Sequence, residues 1–230
     1  MTASPAVHGG APRLPAPAIE AHVAIGDGRS VALTDGRGAL DWLCWPRPDS
    51  EAVFAALLDG RRGGSFRIAP RGAWRSSSGY VDESNVAITR FERGGAAFEL
   101  LDAAAIDPDG ARVRTFAAEH EIVRVVSCTR GSGVVDATID VRLAFGGRRP
   151  RRSVGPRGTV RFEDRGRLLA LRASRPVHWR EDGSALTCST VLRAGEVLGF
   201  SLAFAADAPL VLSPLEDAGR AIVDTTIATW

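Results

Sequence analysis

The run Val135-Asp136-Ala137-Thr138-Ile139-Asp140-Val141-Arg142-Leu143 alternates apolar and polar residues over its whole length. In an extended chain, Val135, Ala137, Ile139, Val141 and Leu143 share one face, and Asp136, Thr138, Asp140 and Arg142 share the other. One face belongs to a core, and the other is wet or lines a second surface, as in an antiparallel sheet packed on one side. Outward from this run, short β-type stretches recur between turn signals. Arg29–Leu33 and Leu40–Cys44 flank Thr34-Asp35-Gly36-Arg37-Gly38, and Asn85–Phe91 and Ala96–Leu101 flank Glu92-Arg93-Gly94-Gly95. Glu121–Thr129 and Val134–Ala144 flank Arg130-Gly131-Ser132-Gly133, which reads as a third hairpin. Ser65–Ala69, Arg161–Glu163, Leu168–Leu171, Ala185–Leu192 and Val197–Ala205 continue the series, with Ala194-Gly195-Glu196 as another tight turn. The pattern predicts an all-β, mainly antiparallel fold of the sandwich or barrel type.

Two segments read as helix. Ser50-Glu51 can cap a short one over Ala52–Leu58 (near 51–59), with Gly60 stopping it, and Leu215–Trp230 carries Ala218, Ile222, Ile227 and Trp230 at amphipathic spacing. Residues 1–17, rich in Ala, Pro and Gly, read as a disordered tail, and order is expected over 18–208. Residues 209–230 read as linker and helix, with Pro209 and Pro214 marking the linker. The basic stretch from Gly146 to Gly158 reads as a mobile loop.

Composition narrows the function classes. The net charge of +2 gives no general reason to expect nucleic acid or an anionic membrane as partner. All 29 basic residues are arginine, which points to genomic base composition more than to selected arginine chemistry. The 3 cysteines, Cys44, Cys128 and Cys188, form no disulfide framework and no C-x-x-C pair, so a reducing, cytoplasmic setting is expected. No apolar run approaches the ~20 residues of a membrane span, and the N-terminus lacks the pattern of a signal peptide.

Ile25-Gly26-Asp27-Gly28 superficially resembles a phosphate loop but lacks the further glycines or G-K-[ST], so it reads as a turn. The arginine-rich stretch has no interleaved aromatics to stack bases. His8, His22, His120 and His178 stand at no metal-ligand spacing, and His120, between Glu119 and Glu121, reads as surface charge. No catalytic residue, metal site or cofactor site is picked out.

One decad stands apart: Asp41-Trp42-Leu43-Cys44-Trp45-Pro46-Arg47-Pro48-Asp49-Ser50. Asp41, Trp42, Trp45, Arg47 and Asp49 are the residue types of sugar recognition. Aromatic faces pack on pyranose rings, and arginine and carboxylate groups bind hydroxyls. The structural alternative makes Trp42 and Trp45 core and Arg47–Asp49 a loop-bracing ion pair; chemistry alone leaves the two readings level.

The order of these segments resembles a known family. Ile25-Gly26-Asp27-Gly28-Arg29-Ser30-Val31-Ala32-Leu33, then Gly38-Ala39-Leu40 and the decad, are similar to the trehalase-like N-terminal domain of bacterial glycoside hydrolase family 15 proteins, which include glucoamylase-type and trehalase-type enzymes. Val53–Asp59, Gly63–Pro70, Gly79-Tyr80, Ser84-Asn85-Val86, Leu101-Asp102 and Ile122-Val123-Arg124 follow in family order. The match is specific over residues 19–145 and weaker beyond Gly146, where strands, linker and a terminal Thr226-x-x-x-Trp230 still fit. Pro48 stands where the family usually has Phe, Ser84 where it has Thr, and Ala21 where an acidic residue is common.

The resemblance implies a large β-sandwich of the supersandwich kind packed against a following (α/α)6 barrel, in cis or in trans. In the family that barrel carries the two glutamates of an inverting glycosidase, one protonating the leaving oxygen and the other activating water. No residue here matches either glutamate, and the chain ends near where the barrel's first helix would begin. The resemblance therefore implies a non-catalytic domain with a possible α-glucoside ligand. It also implies an apolar surface left open, with Ile222, Ile227 and Trp230 part of it. A stand-alone carbohydrate-binding or scaffold module and a truncated, inactive gene product are the rival readings.

Overall fold

A computed structural model describes residues 17–106, 118, 120–206, 210, 212 and 214–230. The chain runs through β1 (Val23–Gly26), β2 (Val31–Thr34), β3 (Ala39–Cys44), β4 (Ala52–Ala55), β5 (Ser65–Pro70) and β6 (Arg75–Tyr80). It continues with β7 (Ala87–Arg93), β8 (Ala96–Ala104), β9 (His120–Arg130), β10 (Ser132–Asp140) and β11 (Arg151–Val154). Then come β12 (Val160–Asp164), β13 (Arg167–Ala173), β14 (Arg180–Asp182), β15 (Ala185–Arg193), β16 (Val197–Ala206) and the helix α1 (Ala218–Thr229). All but one residue of the expected 1–17 tail lies outside the described residues.

The strands form two 8-stranded antiparallel sheets. The first has the order β1-β2-β3-β5-β10-β15-β14, with β4 also paired to β3; the second is β11-β12-β13-β16-β9-β8-β7-β6. The all-β sandwich expectation holds. The alternation that opened the sequence holds too: Val135, Ala137, Ile139, Val141 and Leu143 are all buried in the core between the sheets, against residues such as Phe66, Phe98, Phe200 and Leu202.

The Arg130–Gly133 connection is not a hairpin. β9 belongs to the second sheet and β10 to the first, and the Ala194–Glu196 turn likewise carries β15 over into β16. Gly131 (φ 72°) and Gly195 (φ 86°) make these two corners in left-handed backbone that glycine adopts without penalty. The corners lie side by side: Ala194 N–H donates to Gly131 O at 2.8 Å and Gly195 N–H to Cys128 O at 2.9 Å.

The expected helix over Ala52–Leu58 is replaced by β4 and a turn. All four residues of β4 are buried, so no face is left for water as an amphipathic helix requires. Val53 and Phe54 join the main core while Ala52 and Ala55 pack with Cys44 and Trp42, and β3 supplies the pairing through Trp42↔Ala55 and Leu43↔Phe54. Burial on both sides overrides the helical propensity of this Ala- and Leu-rich stretch. The basic stretch from Gly146 is likewise no simple loop. Arg148 and Arg152 are engaged in ion pairs with Glu51, Asp164 and Glu181, and β11 forms a sheet edge.

α1 forms as expected, but its apolar stripe is not open. Val223 is fully buried against Val86, Ile88, Leu101, Ala103, Val123 and Val125 on the outer face of the second sheet, with Ile222 and Ile227 packed beside it. Trp230 alone of the three expected residues stays half-exposed, at 51%.

Candidate functional site

The decad lies on β3 and the connection to β4. Opposite it, Leu33 and Thr34 are consecutive on β2 yet face Trp42 and Leu40, so Asp41 is the extra residue of a β-bulge. A bulge re-aims side chains, and here it turns Asp41 toward His22 in the segment before β1. Asp41 Oδ2 lies 3.0 Å from His22 Nε2, and His22 Nδ1 faces the carbonyls of Ala18 (3.1 Å) and Ile19 (3.3 Å). Carbonyls only accept, so Nδ1 carries a proton and the Nε2–Oδ2 contact holds another. Burial pushes Asp41's pKa up, with the Asp35 charge adding to it and His22 opposing. Burial works to lower the pKa of His22, but Asp41 and the two carbonyls outweigh it and leave it raised. Asp41 Oδ1 is buried with no hydrogen-bond partner among the described residues.

The two tryptophans have different surroundings. Trp45 is 1% exposed, lying 5.9 Å from the His120 ring and 5.8 Å from Phe204, centroid to centroid. Its Nε1–H donates to Ser30 Oγ at 3.2 Å, so the indole is core with no open face for a ligand. Trp42 is half-buried over Cys44, Ala52 and Ala55, and its ring meets that of Phe145 at 6.1 Å and 44°. Arg47 and Asp49 brace each other in the open: Nε–Oδ1 is 3.0 Å and Nη2–Oδ2 3.2 Å, with side chains 72% and 71% exposed. The loop is closed by Ser50 N–H donating to Arg47 O (3.0 Å) and Arg47 N–H donating to Ser50 Oγ (3.2 Å).

A buried polar knot behind Trp45 was not visible in the sequence. Asp27 accepts from the N–H groups of Arg29 (2.9 Å) and Ser30 (2.6 Å), from Ser30 Oγ (3.1 Å) and from His120 Nδ1 (2.6 Å). His120 is 5% exposed, so the surface-charge reading of it is overturned: β9 carries its ring inward onto Trp45. Nearby, Tyr80 Oη donates to Ala24 O (2.9 Å) and Gly26 N–H to Asn85 Oδ1 (2.7 Å). Segments far apart in sequence, among them Ile25–Ser30, Tyr80 to Asn85, Trp45 and His120, therefore converge on one place. The only hint in the sequence was the Gly26-Asp27-Gly28 turn, which forms as expected with Gly28 at φ 80°.

Burial alone would raise Asp27's pKa, but the His120 ring and the two backbone N–H groups overcome it and hold the carboxyl well below the usual range. A depressed native pKa contributes stability that is present above the unfolded value, about pH 4, and is lost as pH falls below it. Asp27→Asn is therefore expected to be less stable than the parent at pH 7. The gap should narrow on acidification, read as denaturant midpoints from pH 7 to 2.5; parallel curves would deny Asp27 this role.

Glu51, the last group of the region, receives Arg148 at 3.0 and 2.6 Å and Arg167 at 2.8 Å. The Arg148 bonds, against a modest desolvation, hold its pKa down to about 2. Each carboxylate here is thus committed: Asp27 to His120, Asp41 to His22, Asp49 to Arg47 and Glu51 to two arginines. Of the residues of this region, Arg47, Asp49 and Phe145 are exposed and Trp42 partly so. Among the described residues no group of His, Cys, Asp and Glu could hold a metal ion, and no helix is long and apolar enough to cross a membrane. A separate cavity of about 450 Å³ lies between β11–β13 and Leu210, Leu212, Pro214 and Leu215, away from all five candidate residues.

Two antiparallel sheets joined by paired glycine corners, with a polar knot tying the β1–β2 connection of one to β9 of the other, define an all-β sandwich domain. A family model for the trehalase-like N-terminal domain matches residues 13–149, and the chain belongs to that family. A trehalase from Mycolicibacterium smegmatis is 32% identical over 144 residues, covering 58% of this chain and 21% of its own length. A trehalase from Thermoplasma volcanium is 31% identical over 134 residues, covering 56% and 20%. The chain thus spans about a fifth of the length of these relatives. Among solved structures, a putative kojibiose phosphorylase from the human microbiome aligns with 90% of this chain and 32% of its own, at a TM-score of 0.40 and 9% identity.

Proposed function

We propose that this chain is the non-catalytic N-terminal domain of a glycoside hydrolase of family 15, glucoamylase- or trehalase-like, acting in the cytoplasm. It would support an (α/α)6 catalytic barrel in cis or in trans and line part of its sugar cleft with the Asp41–Ser50 loop. The observation that carries this reading is the family match over residues 13–149, together with relatives named trehalases that extend well beyond the matched region. Two further features support it. The carboxylates of the candidate site are each engaged by an arginine or a histidine. The three cysteines are free and buried, which fits a reducing compartment. A stand-alone carbohydrate module is the second reading, favoured by the exposed Phe145 beside Trp42.

Purified chain is expected to release no glucose from trehalose or maltotriose above background. Release abolished by Asp41→Asn or Asp49→Asn would overturn the non-catalytic assignment. The coding sequence following Trp230 separates the two readings: an in-frame barrel region is expected, and its absence would favour the stand-alone module.

A further inference from the structure

The hairpin at 143–148 presents an aromatic side chain at a conformational cost. Leu143 N–H donates to Arg148 O (2.9 Å), Arg148 N–H to Leu143 O (3.0 Å) and Gly147 N–H to Ala144 O (3.0 Å). Within it Ala144 (φ 52°) and Phe145 (φ 55°) are consecutive non-glycine residues in left-handed backbone. These bonds close a four-residue loop, Ala144–Gly147, and left-handed backbone favours Gly or Asn because a Cβ crowds the neighbouring carbonyl there. Stability alone would thus select against Phe at this position, and Phe145 is also 52% exposed. Strain that holds an apolar ring out in water points to a use for the ring.

The ring is held from several sides. Gly146 packs so closely on Arg62 that an added Cβ would lie 2.6 Å from its carbonyl oxygen, seating the hairpin on the turn after β4. Trp42, its partner at 6.1 Å, rests on Cys44, Ala52 and Ala55. Two aromatic rings tilted at 44° and fixed from behind make a preorganised apolar shelf. We propose that Trp42 and Phe145 together bind one pyranose ring of an α-glucoside, the apolar C–H face of the sugar packing on the shelf. The ligand class rests on the glycoside-hydrolase reading above; the shelf itself does not. Two side chains offer far less than the roughly 800 Å² per partner of a stable protein interface, but they match a single sugar.

The test is saturation-transfer NMR on the full chain with trehalose and with maltotriose, comparing the parent, Trp42→Ala and Phe145→Gly. Saturable, millimolar binding is expected, weakened about tenfold or more in both variants. Phe145→Gly should also leave the melting temperature unchanged or raise it, since glycine relieves the left-handed strain. Loss of binding without loss of stability is what a purely structural Phe145 would not give. No saturable transfer from either sugar up to tens of millimolar, or binding indifferent to Phe145→Gly, overturns the proposal. If neither sugar binds but Phe145→Gly weakens association with a relative's catalytic barrel, the shelf is a protein contact; this proposal then fails while the accessory-domain reading stands. Sugar binding in a chain that no barrel accompanies would be the converse result.

Discussion

Arg124→Met is expected to destabilise the domain by about 3–5 kcal/mol, the usual consequence of leaving a buried charge without its partner. Arg124 and Asp102 are both completely buried, with Nε–Oδ1 at 2.7 Å and Nη2–Oδ2 at 3.0 Å. The same guanidinium crosses between the sheets: from β9 it donates to Phe66 O on β5 and to Gly38 O (3.0 Å) just before β3. Removing it strands the Asp102 carboxylate and unfastens one sheet from the other. The double variant Arg124→Met/Asp102→Leu removes both charges and should recover most of the loss, since apolar replacement of a whole buried pair is often close to neutral. Recovery will be incomplete, because the carbonyls of Phe66 and Gly38 both lose this charged donor. Denaturant midpoints at constant slope are the measurement. A single variant within about 1 kcal/mol of the parent, or a double variant no better than the single, would show that the pair does not hold the sheets.

Trp45→Ala should have a comparable effect, about 3–5 kcal/mol, because it opens a cavity in the core beside His120 and Phe204. Trp45→Phe keeps most of the ring and removes the Nε1–H bond to Ser30, so about 1–2 kcal/mol is expected. Trp42→Ala, at a partly buried position, should cost less than Trp45→Ala, the transfer term being smaller where water already reaches part of the ring. These three variants separate the tryptophans that the decad presented as equals. If Trp45→Ala melted with the parent, its burial against His120 would have to be rejected.

Strands were legible where buried and wet residues alternate, and not in the exposed β6, β11 and β14, which carry no apolar face to read. Val135–Leu143 announced itself because Asp136, Thr138 and Asp140 alternate with buried residues. Ala52–Ala55 did not, because burial on both sides erases the period that distinguishes strand from helix. The corners at Gly131 and Gly195 look like hairpin turns in sequence, since a glycine in left-handed backbone serves equally to reverse a strand within a sheet or to fold it over into the next. In the candidate site, the Arg47–Asp49 brace stands in the sequence as one of two level readings, and the bidentate contact is seen only in the structure. His22–Asp41 and Asp27–His120 were not legible, because they join residues 19 and 93 positions apart and depend on a bulge and on sheet packing. Asp102 and Arg124 stand out in the sequence only as members of an ordered resemblance. Their burial at the junction of the sheets gives the physical reason those residue types stand there.

The interleaving of the two sheets along the chain bears on how such domains are cut for expression. The family match ends at residue 149, before β11. Yet β16 supplies the neighbour of β9, and β15 that of β10. A fragment trimmed to the matched residues would expose one full side of each of these long strands, including the backbone beside Ile122, Val123 and Val125. Unpaired, long and apolar, two such edges are templates for another chain's strands. The span over which sequence similarity is detected is therefore shorter than the span that folds, and a fragment cut at residue 149 is more apt to aggregate than to report on the domain.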